Sequence, residues 1–377
     1  MRIPLSAPDV TEREIAAVAE VLRTPHLSLG PKLAEFERDV AAYAGTRHAV
    51  AVNSGTSGLH LCVRALGIKA GDEVITTPFS FVASANALLY EGARPVFVDI
   101  DPLTLNLDPL KIEAAVTPRT GAIMVVHVFG RPAEMGGITA LAERYGLKVI
   151  EDACEAIGAE YGGRKVGALG DAGVFAFYPN KQITTGEGGV IVTDDEQVAA
   201  RARLLRNQGR DPAAGWFEHV ELGYNCRLSD INCALGVEQL RRIEDILRLR
   251  ESVALRYEER LKDEPRLLLP ESYVAGGRVS WFVYVVRLAE RFRRAQRDRV
   301  VEELREQGIG CGRYFAPIHL QPLYVRSFGY REGHFPHAER SAERAIALPF
   351  FNRITEAQQD EVCQRLVESL DGVEART

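Results

Sequence analysis

Apolar positions recur along this chain in two rhythms. Short, nearly unbroken apolar runs lie at Ala49–Asn53, Glu73–Thr77, Val96–Ile100, Ala122–Val128, Lys148–Asp152, Gly173–Phe177 and Val190–Thr193. Between most of them, at 82–91, 108–115, 136–146 and 194–206, apolar residues return at helical spacing. Strands that are apolar on both faces, alternating with helices, describe an α/β sheet that is largely parallel and covered on both sides. Helices also precede the first strand. Thr11-Glu12-Arg13-Glu14 reads as a capping box, with Ile15, Val18 and Leu22 on one face after it, and a second helix spans 32–44. Ser54-Gly55-Thr56-Ser57-Gly58 opens a helix with Leu59, Cys62, Val63 and Leu66 on one face, closed by Gly67.

The second half reads differently. After Ser229-Asp230 one long helical pattern reaches about Leu261, a length suited to bridging two units. A strand at Val279–Leu288, a helix at Ala295–Gln307, a strand at Gly310–Phe315 and a last helix capped by Thr355 and Gln358 follow. The expected organisation is a large domain over 1–245, built on a mainly parallel seven-stranded sheet, and a small α+β domain over 246–377.

Composition narrows the function. The net charge is -6, and the arginine-rich run from Arg291 to Arg299 is interrupted by Asp298, so no basic face for nucleic acid is expected. The six cysteines form no CxxC pair, which argues against a disulfide framework or a metal site. No apolar run approaches the roughly 20 residues of a membrane span. The N-terminus lacks the apolar core of a signal peptide. A cytoplasmic protein without membrane or nucleic-acid partners is expected.

Four stretches carry chemistry. Asn53-Ser54-Gly55-Thr56-Ser57-Gly58 joins a strand to a helix; glycine admits a close ligand, hydroxyls donate, and the helix start aims N–H groups outward. Alone, it is a weak signal and reads more readily as an ordinary strand-to-helix turn with an N-cap. It is neither a P-loop nor GxGxxG, which disfavours nucleotide triphosphates and dinucleotides. Asp152 ends an apolar strand, where a carboxylate can keep a heteroaromatic nitrogen protonated or simply cap a helix. Pro78-Phe79-Ser80-Phe81 offers an aromatic to stack on a flat ring, or to fill a core. Lys181 follows Pro179-Asn180, 29 residues after Asp152, and precedes a glycine-rich return. Phosphate cradle, acid, stacking aromatic and lysine together describe a site for pyridoxal 5′-phosphate (PLP).

The chain also resembles the DegT/StrS family of sugar aminotransferases, which have the aspartate aminotransferase-like fold type I, along nearly its whole length. The stretches that carry the resemblance are Asn53–His60, Glu151-Asp152-Ala153, Asn180–Gly189, Gly223–Ile231 and His319-Leu320-Gln321-Pro322. The resemblance implies that Lys181 is the Schiff-base lysine and proton shuttle. It implies that Asp152 pairs with the pyridinium, Phe81 stacks on the ring, and Gly55 and Thr56 bind the phosphate. Asn225 would reach the phosphate of the neighbouring subunit in a homodimer with shared active sites, and His319 would approach a sugar nucleotide. Two positions depart from the family pattern. Ala176 stands where many relatives carry serine for the phosphate. Glu155 stands where they often carry glutamine or histidine near the cofactor's phenolic oxygen. The implied reaction moves nitrogen from L-glutamate to a keto-sugar nucleotide, and the wording of Ile183–Gly189 is closer to relatives acting on NDP-4-keto-6-deoxy sugars. The residues leave open a 3-keto sugar or inosose acceptor, an aminobenzoate-type synthase, a PLP-dependent sugar dehydratase and a non-catalytic PLP-binding regulator. Because some dehydratase relatives replace the lysine by histidine, Lys181 favours transamination.

Overall fold

The computed structural model describes residues 2–211 and 218–375; Met1 and 376–377, at the outer ends of the two expected domains, and 212–217 lie outside the described residues. Seven strands form the large sheet: β1 (His48–Val52), β2 (Glu73–Thr76), β3 (Arg94–Phe97), β4 (Thr120–Val126), β5 (Lys148–Asp152), and, beyond a two-residue hairpin of β6 (Glu160–Tyr161) and β7 (Arg164–Lys165), β8 (Ala172–Ala176) and β9 (Gly189–Thr193). Their spatial order is β1-β9-β8-β5-β4-β2-β3. β9 pairs antiparallel with both β1 and β8, and every other pairing is parallel. Two antiparallel steps restore direction, so β1 runs the same way as β8, β5, β4 and β2. The carboxyl ends of these five strands share one edge, and β9 begins there.

Side chains on each strand alternate between two cores. Ala49 and Ala51 of β1, Phe175 of β8, and Val190 and Val192 of β9 face one layer, with Phe36, Val40 and Val237. Val50, Val52, Val174 and Ile191 face the other, with Leu59, Cys62 and Leu205. Burial on both faces is why these strands read as continuous apolar runs rather than alternating ones.

The helices begin where local chemistry places them. α1 (Glu12–Leu22) has its expected capping box, the Thr11 N–H donating to Glu14 Oε2 at 2.7 Å. α2 (Pro31–Ala44) starts on proline and ends on left-handed Gly45, φ 77°. α3 (Gly55–Ala65), α4 (Ala83–Leu89), α5 (Pro109–Ile112), α6 (Met135–Tyr145) and α7 (Glu196–Arg206) follow their strands.

The expected single helix to Leu261 is two, α8 (Asp230–Arg241) and α9 (Ile243–Leu261). Arg242 leaves helical geometry between them, at φ -104° and ψ 4°. Its guanidinium donates to Asp9 Oδ2 at 3.1 Å and Glu14 Oε1 at 2.6 Å. This tertiary contact has no trace in the helical periodicity. α9 connects two cores: Ile243, Ile246 and Leu247 pack with the large sheet, whereas Val253, Ala254, Tyr257 and Leu261 pack with C-terminal residues.

The C-terminal part holds a three-stranded antiparallel sheet in the order β10 (Leu267–Leu268), β11 (Tyr284–Leu288) and β12 (Ala345–Leu348). The strand expected at Gly310–Phe315 is not formed: Gly312 makes one isolated bridge to Ala347. The ladder place beside β11 is taken by β12, a short apolar run hidden from pattern reading directly after a helix. α10 (Arg294–Glu306), α11 (Pro322–Phe328), α12 (Pro336–Arg344) and α13 (Glu356–Glu374) complete the fold; α11 and α12 were not expected from periodicity. No helix among the described residues is long and apolar enough to cross a membrane.

Candidate active site

A cavity of about 480 Å³ opens at the shared edge of the large sheet, within the usual range of small-molecule sites. Gly55 and Thr56 after β1, Phe81 after β2, Asp152 and Glu155 at and after β5, Ala176 at the end of β8, and Lys181 in the β8–β9 connection all line it. Strand direction, not proximity in sequence, brings them together.

The Lys181 segment is pinned on both sides. Phe177 is buried, its ring centre 5.5 Å from that of Phe36 in an edge-to-face pair, and its carbonyl accepts from the Thr185 N–H at 3.0 Å. Gln182 is buried and its Nε2 donates to the Glu155 carbonyl at 2.6 Å and to Ser280 Oγ at 2.9 Å. Ile183 enters the core. Between these anchors the Lys181 side chain is only 13% exposed. Its Nζ lies 3.6 Å from Glu155 Oε1 and 4.0 Å from the centre of the Phe282 ring.

Asp152 is buried, and both of its oxygens have partners. Ser84 Oγ donates to Oδ2 at 2.6 Å, and the Cys154 N–H donates to Oδ1 at 3.2 Å. Ser80 Oγ lies 2.8 Å from Ser84 Oγ. Since one hydroxyl has one proton to give, Ser80 donates to Ser84 and Ser84 to the carboxylate.

Glu155 is the second buried carboxyl. Burial pushes its pKa above the usual range and Asp152 adds to this, against the pull of Lys181 and of the Phe129 N–H, which donates to Oε2 at 3.1 Å. Glu155 therefore holds a proton more readily than an exposed glutamate.

The cradle is built by α3. Ser54 caps it by accepting from the Ser57 N–H at 3.1 Å, leaving the Gly55 and Thr56 N–H groups without an intrahelical acceptor. A Cβ at Gly55 would stand 2.7 Å from Ala176 Cβ and 2.9 Å from Cys154 Sγ, so the cradle floor closes on the glycine backbone. A side-chain hydroxyl from β8 is absent, because Ala176 occupies that place.

The residues present fit PLP. The first turn of α3 suits a phosphate. Asp152, whose two oxygens accept from Ser84 Oγ and the Cys154 N–H, suits a protonated ring nitrogen, and Phe81, 62% exposed, offers a ring face. Lys181 supplies the amine. Asn180 Oδ1, at the same cavity, is buried without a partner among the described residues, an acceptor available to a bound group.

Two expected site residues are not brought to the cavity. His319 is fully buried, with Nε2 2.9 Å from Glu339 Oε1 and its ring edge-on to Phe335 at 4.7 Å. Burial drives its pKa down although Glu339 opposes this, and it behaves as a core histidine. Asn225 is exposed and does not line the cavity of its own chain; its backbone bridges Asn207, and its carbonyl accepts from Asn53 Nδ2 at 3.5 Å. Sequence reasoning missed Ser84, Asn180, Phe282 and Tyr314, all of which line the cavity. Ser84 and Asn180 stand within or beside motifs already singled out, so their spacing was a usable signal. Phe282 and Tyr314 arrive from the C-terminal part with none.

Among the described residues no cluster of His, Cys, Asp or Glu could hold a metal ion. The profile of the DegT/DnrJ/EryC1/StrS aminotransferase family matches residues 8–367. The chain is 43% identical to GDP-perosamine synthase of Caulobacter vibrioides, over 99% of this chain and 98% of that protein. It is 40% identical to the spore coat polysaccharide biosynthesis protein SpsC of Bacillus subtilis, again over 99% and 98%. Helicobacter pylori PseC, an aminotransferase involved in the biosynthesis of pseudoaminic acid, superposes with a TM-score of 0.94 at 30% identity, covering 99% of this chain and 100% of that one. The chain belongs to the DegT/DnrJ/EryC1/StrS aminotransferase family, and it is a PLP-dependent aminotransferase.

Proposed function

We propose that this sugar aminotransferase moves an amino group from L-glutamate to a keto-sugar nucleotide, preferably an NDP-4-keto-6-deoxy sugar, in surface polysaccharide or amino-sugar biosynthesis. The observation that carries the reading is the convergence of Lys181 Nζ and the Asp152 carboxylate on one cavity, with the α3 cradle at the same edge. The names of the relatives, GDP-perosamine synthase and a spore coat polysaccharide protein, support the acceptor class.

When bound, PLP supplies an aldehyde that condenses with amines and a ring that accepts electrons from a carbon losing its proton. Gly55 and Thr56 would hold its phosphate and Phe81 one face of the ring. Asp152, oriented by Ser84, would keep the proton on the ring nitrogen. Lys181 would hold the cofactor at rest, take the α-proton of the donor at Nζ, and return a proton to the reacting carbon in each half of the reaction. Glu155, protonated more readily than usual, would donate a hydrogen bond toward the phenolic oxygen. Phe282, Tyr314 and Phe315 close one side of the cavity against water.

The exposed place of Asn225, off its own cavity, supports a homodimer in which each chain completes the phosphate site of the other. The pairing of donor and acceptor is tested by adding L-glutamate to the PLP-loaded enzyme. The cofactor band should be lost and should return with a 4-keto sugar nucleotide, with the aminated product identified by mass and NMR. A band unmoved by any amino donor would overturn the proposal; return with 3-keto but not 4-keto acceptors would overturn the ring position alone.

A further inference from the structure

The segment Ser280-Trp281-Phe282 enters the active site from a distant part of the chain and is held from two sides. From α9, the buried Arg250 donates through Nε to the Trp281 carbonyl at 2.7 Å, through Nη2 to the Phe282 carbonyl at 2.7 Å, and through Nη1 to Asn352 Oδ1 at 3.0 Å. Among the described residues no carboxylate forms an ion pair with this guanidinium, and the Phe350 ring centre lies 4.9 Å away. A buried charge answered only by neutral acceptors is costly, and burial pulls its pKa down accordingly. From the large-sheet side, the Ser280 N–H donates to the Gly130 carbonyl at 2.9 Å and the Phe282 N–H to that of Phe129 at 3.2 Å. Gln182, the neighbour of Lys181, reaches Ser280. Trp281 is held at φ 37°, a left-handed conformation unfavourable for a bulky residue. Such strain persists only where the surroundings over-determine it.

All of these constraints converge on one outcome: the face of the Phe282 ring is presented to Lys181 Nζ at 4.0 Å. Glu155 Oε1 lies 3.6 Å from the same Nζ. We infer that Phe282 is a positioning residue for Lys181: its ring face receives the amine while it carries a proton between its release from the cofactor and delivery of that proton, and Arg250 acts through Phe282. The proton enters and leaves at Nζ and no further reactant is needed. A protonated amine over a desolvated ring face is stabilised electrostatically, and a freed lysine that keeps this place remains within reach of the reacting carbon. The inference rests on the reading of Lys181 as proton shuttle.

The test uses Phe282→Leu, which keeps bulk and loses the ring face, and Phe282→Tyr, which keeps the face. In Phe282→Leu the half-reaction with L-glutamate should slow by about tenfold, and the isotope effect with α-deuterated L-glutamate should rise, as expected for a loss of this size at proton transfer. The cofactor-free variant should bind PLP at least as tightly as the parent, because the freed lysine has lost its resting place and the linked state has not. Phe282→Tyr should recover most of the lost rate. Arg250→Lys should show the same isotope signature, and combining it with Phe282→Leu should add little. Weaker PLP binding that tracks a lower Tm in Phe282→Leu would reduce Phe282 to packing and overturn the inference, as would an unchanged isotope effect. If Lys181→Ala itself still turns over, the underlying reading fails instead, so the two failures are distinguishable.

Discussion

Glu155 Oε1 and Lys181 Nζ lie 3.6 Å apart, the carboxyl pressed toward its protonated form by burial and the amine resting against an aromatic face. One residue comes from the segment after β5 and the other from the β8–β9 connection. Their meeting sets a buried carboxyl beside the amine at this end of the cavity.

Removing the carboxyl charge tests that relationship. The raised pKa of Glu155 means that the folded protein binds its proton more tightly than the unfolded chain does. Its contribution to stability is complete below the ordinary value of about 4.3 and is lost as pH rises through the folded value. Cofactor-free Glu155→Gln should therefore gain stability relative to the parent as pH rises from about 4 to 8. Denaturant melts across that range check it; a difference independent of pH would contradict it.

Glu151 should behave in the opposite sense. It is fully buried, and burial pushes it upward, but the His127 bond and the N–H groups of Gly167 and Gly170 outweigh this and hold it below the usual range. Leu169 N–H donates to it as well, at 2.6 Å. Its stabilisation is present above the ordinary glutamate value and lost as pH falls through the lowered one. Glu151→Gln sets an amide among N–H donors and should cost about 3 kcal/mol at neutral pH, with the deficit shrinking under acid conditions in the same kind of melt.

Lys181→Ala should lower turnover by about 10⁴-fold while moving Tm by no more than about 2 °C, since the side chain meets Glu155 and the Phe282 ring at the cavity wall rather than filling the core. Activity near the parent rate would show that the proton shuttle lies elsewhere.

Gly55→Ala should weaken PLP binding by about a hundredfold, an overpacking cost of about 2–3 kcal/mol, because the new Cβ meets Ala176 and Cys154 where the phosphate cradle closes. Equilibrium titration of the cofactor-free protein reads this directly, and unchanged affinity would place the phosphate elsewhere.

Asn225→Ala should reduce PLP affinity by about tenfold, the loss expected for a hydrogen bond to a charged group. Mixing it with Lys181→Ala should restore activity to the one site in each hybrid dimer that has both residues. No recovery in verified hybrids would mean that the sites are not shared.

The parts of this site that follow strands were legible in the sequence. A strand buried on both faces must be a short apolar run, and a ligand group at its carboxyl end must interrupt that run, as Asp152 does. Ser54 and Thr11 announce their helices because capping is a contact over two or three residues. His319 misled because its motif carries no sign of Glu339, whose contact makes it a core residue.

The sequence by itself determined the strands of the large α/β sheet and the capped helix starts at Thr11, Ser54 and Thr355, because these depend on interactions between near neighbours in the chain, and it offered the cradle, Lys181 and Asp152 as candidates. Only the tertiary structure decided the break at Arg242, the replacement of 310–315 by β12 in the small sheet, and the delivery of Phe282 to Lys181 by Arg250. Each depends on partners tens to hundreds of residues away, selected by packing and by the need of buried polar groups for acceptors, and neither leaves a periodic mark on the residues that meet.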